Sequence, residues 1–200
     1  MKQTAYFLIF DGLADWEAAL ALAEINKNNA AEIVSVGFSE APIMTIGGLQ
    51  LTPQATIENL DVERANIFIL PGGDRWEAQN STDEALSNLL YHLHEKGVTI
   101  AAICGATLAI GRAGLLKNRR HTSNAKSYLQ ALLPHYHDEA FYIDELAVSD
   151  GGIITASGVG SVEFAREILS ALNIYSEEER RDWFNLFKHA IMPAKFATPE

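Results

Sequence analysis

The chain has 200 residues, 48% hydrophobic and 20% charged, the balance of a folded globular protein rather than a disordered one. A formal charge of −11 argues against a nucleic-acid surface, and the tightest cationic group, Lys117, Arg119 and Arg120, reads as a solvated loop. A single cysteine excludes an intramolecular disulfide, no zinc-type Cys/His spacing occurs, and no apolar run approaches the roughly 20 residues that spanning a membrane requires.

In chain order, short apolar runs alternate with amphipathic stretches, which predicts an α/β fold with a mainly parallel sheet. Residues 4–10 (TAYFLIF) read as a buried first strand. Residues 15–29 follow as a helix with Ala18, Leu22 and Ile25 on one face. Residues 32–38 predict a second strand, and 41–57 a small hairpin turning on Gly47-Gly48. Residues 65–70 (ANIFIL) form a further buried strand that stops at Pro71-Gly72-Gly73. The next helix spans 82–96, capped by Thr82 and closed by Gly97. A strand over 98–103 runs into a helix over 105–116. A second hairpin turns on Asp150-Gly151-Gly152, and helices are expected over 161–172 and about 176–190. The last of these presents Trp183, Phe184 and Phe187, which need cover. With no linker, repeat or low-complexity segment, one domain over 1–200 is the expectation.

In a doubly wound sheet, ligands bind where the carboxyl ends of the strands lead into helices. Three such ends carry chemistry here: Asp11, Gly12 and Glu17 after the first, Pro71 to Asp74 after 65–70, and Cys104-Gly105 after 98–103. A free thiol is mostly protonated at neutral pH, with a pKa of about 8.5, and a following helix N-terminus favours its thiolate. On a tight strand-to-helix turn such a nucleophile is exposed for attack, and small neighbours suit the strain. The N–H groups of Gly73 and Gly105 then become candidates for stabilising an oxyanion. Each feature also has a bland reading. A cysteine in an apolar run is by default inert core, Glu17 could merely complement a helix dipole, and Pro-Gly-Gly is a common turn. Their joint position after three strands is what burial alone does not require.

On these residues the sequence resembles the ThiJ/PfpI family of the class I glutamine amidotransferase-like superfamily. The matching segments are FLIFDGLADWEAALALAEI, IFILPGGDRWEAQNSTDEALSNLL, TIAAICGATLAIGRAGLLKNRRHTSN and GGIITASGVGSVEFAREILSAL, nearly the whole chain. The resemblance implies a flavodoxin-like, doubly wound, mainly parallel sheet with helices on both faces. It also implies that Glu17 hydrogen-bonds the Cys104 sulfur, with Gly73 and Gly105 supplying backbone N–H groups. A carboxyl so placed is expected to be protonated, since two adjacent anions in a poorly solvated pocket repel.

Gly105 follows Cys104, and Asn124 follows Thr122-Ser123, at two places where many family members carry a histidine. Asp74, Asn124 and His121 are therefore further candidates for the pocket, although strand alternation sends His121 and Thr122 to opposite faces. The missing base weakens the peptidase and amidotransferase readings, which rely on Cys-His pairing. The leading expectation is a hydrolase or glyoxalase/deglycase-type enzyme, with Cys104 as nucleophile and Glu17 as proton relay on small carbonyl or amide substrates. The alternatives are a non-catalytic, cysteine-based oxidative-stress sensor or chaperone-like protein, and an intracellular cysteine peptidase or amidotransferase-like protein. No metal and no cofactor are expected, and neither are nucleic-acid or membrane partners. A short N-terminal apolar run and a lone thiol suggest a cytoplasmic protein. Homodimerisation is implied by the resemblance, with the aromatic tail helix as a candidate contact.

Overall fold

The computed structural model describes residues 3–77 and 84–193. The first strand, β1 (Thr4–Leu8), lies inside a seven-stranded sheet, beside β2 (Glu32–Gly37) on one flank and β6 (Ala65–Leu70) on the other. Beyond β2 lies the short β5 (Ala55–Thr56). Beyond β6 come β7 (Thr99–Ile103), β9 (Ile153–Ala156) and β8 (Ala147–Asp150). All neighbours pair in parallel except β8 with β9, the hairpin anticipated around Asp150-Gly151-Gly152. The chain leaves β1 to one side and returns on the other, so the sheet reverses its winding between β1 and β6. This is a flavodoxin-like, doubly wound order, and its crevice lies at the carboxyl ends of these strands.

The strands are apolar without interruption because both faces of the sheet are covered. Their period of two sends Phe68, Leu70, Ile100 and Ala102 into one core and Ile67, Ile69, Ala101 and Ile103 into the other. The first core is closed by α2 (Glu84–Glu95), α3 (Thr107–Arg112) and α4 (Lys126–Leu132). The second is closed by α1 (Asp15–Lys27), α5 (Ser161–Ala171) and α6 (Glu177–His189). A separate antiparallel pair, β3 (Ile43–Met44) with β4 (Gln50–Leu51), forms the hairpin predicted at Gly47-Gly48.

Three expectations change. The helix foreseen over 105–116 is a 3-10 turn over Cys104–Ala106 followed by only six α-helical residues, and Gly114 at φ +73° lies in the turn beyond it. The aromatic tail helix covers Trp183 within its own chain and leaves Phe187 exposed. A capping box between Ser176 and Glu179 starts α6, and Trp183 is buried against α5 within the same chain. The Arg166 guanidinium lies 4.4 Å over the Phe184 ring. Finally, α4 carries seven residues, too few turns for a hydrophobic period to show, so the sequence does not announce it. The predicted Thr82 cap falls outside the described residues.

Candidate active site

Glu17 sits in the first turn of α1, where a carboxylate is ordinarily solvated, yet only 2% of its surface is exposed. The turn ending β1 folds it inward, because Ala14 N–H donates to the Gly72 carbonyl at 3.0 Å and docks the helix start under the loop after β6. Gly72 N–H in turn donates to Glu17 Oε2 at 2.5 Å, and the same carboxyl hydrogen-bonds the Cys104 thiol. Burial pushes the Glu17 carboxyl from 4.5 up to about 7, against the opposing pull of the Gly72 N–H and the thiol.

Cys104 directly follows β7 in the left-handed region at φ +59°, a conformation costing a non-glycine residue roughly 1–2 kcal/mol. The turn brings its half-buried sulfur to the crevice between the loops after β1 and β6. Burial is the main influence raising the thiol, and the neighbouring Glu17 charge adds to it. The Asn124 amide, 3.4 Å from Sγ, and the Gly105 N–H act in the other direction by donating to sulfur. Two adjacent groups raised by burial do not both ionise at neutral pH, so the Glu17–Cys104 pair retains a proton there.

Two glycines shape this pocket: Gly72, which sequence reasoning placed only within the Pro-Gly-Gly turn, and Gly158, which it did not single out. A Cβ on Gly72 would lie 2.6 Å from both Cys104 Cβ and Glu17 Oε2, and one on Gly158 would lie 2.8 Å from Cys104 Sγ. Both follow strands, β6 and β9, so a glycine one or two residues past a buried strand was the available signal. Asn124 is locked from behind as well, since its Oδ1 accepts from Gly158 N–H at 2.9 Å. That contact orients the amide with its NH2 toward sulfur.

The remaining candidates divide. Gly105 lies at the turn, but its N–H is already aimed at the thiol sulfur. Gly73, at φ +149°, is pressed against the loop after β1, where a Cβ would come within 2.4 Å of the Gly12 carbonyl oxygen. The adjacent Gly72 amide is the one that reaches Glu17. Asp74 is exposed at the start of a 3-10 turn, Asp74–Glu77. His121 is fully buried away from the thiol: its Nδ1–H donates to the Arg119 carbonyl at 2.7 Å, and its Nε2 accepts from the Tyr136 hydroxyl at 2.7 Å. Alternation did not expose Thr122 instead, because its N–H and hydroxyl bond Thr155 and the Glu145 carbonyl inside the fold. Among the described residues no histidine hydrogen-bonds Cys104, and no cluster of three or more His, Cys, Asp or Glu could hold a metal ion.

Residues 3–171 match the model of the DJ-1/PfpI family. The chain belongs to this family. It is 36% identical over 190 residues to an uncharacterised protease, YoaZ, of Bacillus subtilis, covering 92% of this chain and 90% of the relative. A solved DJ-1 superfamily protein from Agrobacterium tumefaciens superposes with a TM-score of 0.86 at 33% identity, over 94% of this chain and 98% of that one. A deglycase of Thermococcus kodakarensis is 26% identical over 113 residues, 56% of this chain and 67% of its own. Membership in the DJ-1/PfpI family accounts for the sheet order and for the loops that meet at Cys104. Within that frame the groups that meet the Cys104 sulfur are Glu17, Asn124 and the Gly105 N–H.

Proposed function

We propose that this DJ-1/PfpI protein is a cysteine-dependent enzyme acting on small reactive carbonyl compounds, with Cys104 as nucleophile and Glu17 as proton carrier. The observation that carries this reading is the Glu17 carboxyl, buried, bonded to the Cys104 thiol and raised to about 7. A proton carrier works best when its pKa lies near the working pH. Because burial raises the thiol, attack has to be coupled to proton removal rather than begin from a standing thiolate. In attack on an α-oxoaldehyde, the sulfur lone pair forms the S–C bond, the C=O π pair moves to oxygen, and the thiol proton passes through Glu17 to that oxygen. Glu17, ionised again, then takes the carbon-bound proton of the hemithioacetal, the hydroxyl proton on that carbon passes to the neighbouring carbonyl oxygen, and Glu17 returns its proton to the neighbouring carbon, which leaves the new C=O on the sulfur-bearing carbon. Water releases the resulting thioester as a hydroxy acid, so atoms and electrons balance without an external oxidant.

Asn124 donates a hydrogen bond but neither takes up nor releases a proton at neutral pH, and His121 is occupied elsewhere. A peptidase needs a base beside the thiol that also protonates a leaving amine, and a peroxide sensor needs a low, accessible thiolate. Both are less well supported by a raised thiol without an imidazole. The name of the Thermococcus relative agrees with carbonyl chemistry for the family. The substrate pairing is tested by incubating the protein with methylglyoxal and following lactate. Cys104→Ala is expected to abolish turnover; turnover that survives the substitution removes the nucleophile assignment.

We also propose a homodimer. The support lies in exposed apolar side chains, Trp16 at 55%, Ile46 at 51% and Leu49 at 60%, with Phe187 on α6 at 45%. A monomer mass by light scattering would reject it.

A further inference from the structure

A cleft of about 1050 Å³ opens between α3 and the segment after α4, and neither Cys104 nor Glu17 lines it. Its apolar floor includes Leu116, Leu132, Leu133 and Tyr136. Gly111 lets that floor form, since a Cβ there would lie 2.3 Å from Leu133 Cδ1. Arg112, on the last turn of α3, lines this cleft and also a smaller recess shared with Glu84, Ser87 and Asn88.

The guanidinium is incompletely satisfied. Its Nη2 donates to the Trp76 carbonyl at 2.9 Å, but its Nη1 is shielded from solvent and has no hydrogen-bond partner. Arg112 makes no ion pair among the described residues. A buried cationic donor without a partner is rare and calls for an explanation. The two acids on the cleft wall already have other contacts. Glu77 accepts from the Tyr128 hydroxyl at 3.1 Å, and Asp138 from the Asn118 N–H at 2.8 Å. Lys117, His135 and His137 complete the rim. In a chain of net charge −11, the cleft thus holds Arg112 and Lys117, neither of them ion-paired among the described residues, above an apolar floor.

We propose that the cleft binds a small amphipathic organic anion, whose acid group pairs with Arg112 while its apolar body lies on Leu132, Leu133 and Tyr136. Because Nη1 is closed to solvent, the acid group meets the Nε and Nη2 edge of the guanidinium, where an Arg fork makes two parallel hydrogen bonds to a carboxylate or sulfonate. The cleft lies at the upper end of the volumes typical of small-molecule sites.

The test uses 8-anilino-1-naphthalenesulfonate and its neutral analogue N-phenyl-1-naphthylamine on the folded full chain, read by fluorescence. Saturable one-to-one binding of the sulfonate is expected, displaced by decanoate. Arg112→Gln should weaken the anionic dye roughly tenfold or more and leave the neutral dye unchanged. Ala131→Trp, at an exposed position on the cleft wall, should block both dyes. If circular dichroism shows that Arg112→Gln does not fold, the Ala131→Trp and decanoate results decide. The proposal is overturned if the sulfonate does not bind saturably, if a folded Arg112→Gln binds it as tightly as wild type, or if Ala131→Trp leaves binding intact.

Discussion

Replacing Glu17 with glutamine isolates what burial does to this carboxyl. The folded protein holds the Glu17 proton up to about pH 7, whereas the unfolded chain releases it near 4.5. Between those values the folded state binds the extra proton, so stability falls as pH rises, and outside them this group adds no slope. Each pH unit in the window is worth ~1.4 kcal/mol, so the full loss is about 3 kcal/mol. Little solvent screening reduces it, because the side chain is 2% exposed. Glutamine keeps an oxygen to accept from Gly72 N–H and an NH2 for the sulfur, but it has no charge to bury. Urea unfolding of wild type and Glu17→Gln at about pH 4 and about pH 8 reads the difference. Relative to the variant, wild type should lose about 3 kcal/mol on going from the lower to the higher pH, or roughly 6–12 °C in Tm for a chain of this size. Parallel pH profiles for the two proteins would refute the buried-acid account, and with it the proton carrier proposed for Glu17.

Gly72→Ala pushes a methyl group into contact with Cys104 Cβ and the Glu17 carboxyl, both now 2.6 Å from that point. It should cost about 1–3 kcal/mol and lower methylglyoxal turnover on the order of a hundredfold by parting the pair; a fully active variant would show that their spacing is unimportant. Asn124→Leu removes the side-chain donor to sulfur, so the thiol should ionise at still higher pH, followed by thiolate absorbance. An unchanged titration would mean that the 3.4 Å contact is electrostatically empty. His121→Leu leaves the Tyr136 hydroxyl and the Arg119 carbonyl without their partner. A loss of about 1–3 kcal/mol with turnover intact is expected, and lost turnover in a folded variant would restore His121 to the site.

Much of the fold was legible because the sheet is buried on both sides. A strand such as residues 65–70 is then apolar at every position, and Pro-Gly-Gly and Cys-Gly mark where two strands stop. The β-hairpins at Gly47-Gly48 and Gly151-Gly152 were legible for a local reason, since glycine admits positive φ, as at Gly48, Gly151 and Gly152. Those signals act within a few residues, so the sequence by itself determined most of the elements, the α/β class and the segments that carry Glu17 and Cys104, while the doubly wound order was what the family resemblance implied.

Only the tertiary structure decided which atoms meet. Glu17 is 87 residues from Cys104 in the chain, and its raised carboxyl arises from the loop after β6 closing over it. Asn124 becomes a neighbour of the sulfur, and His121 does not, because a buried side chain points wherever its hydrogen bonds are satisfied. Likewise α6 buries Trp183 on its own domain face, an outcome that an amphipathic pattern leaves open. Burial, desolvation and the pairing of distant polar groups are properties of the packed chain, and no local stretch of sequence contains them.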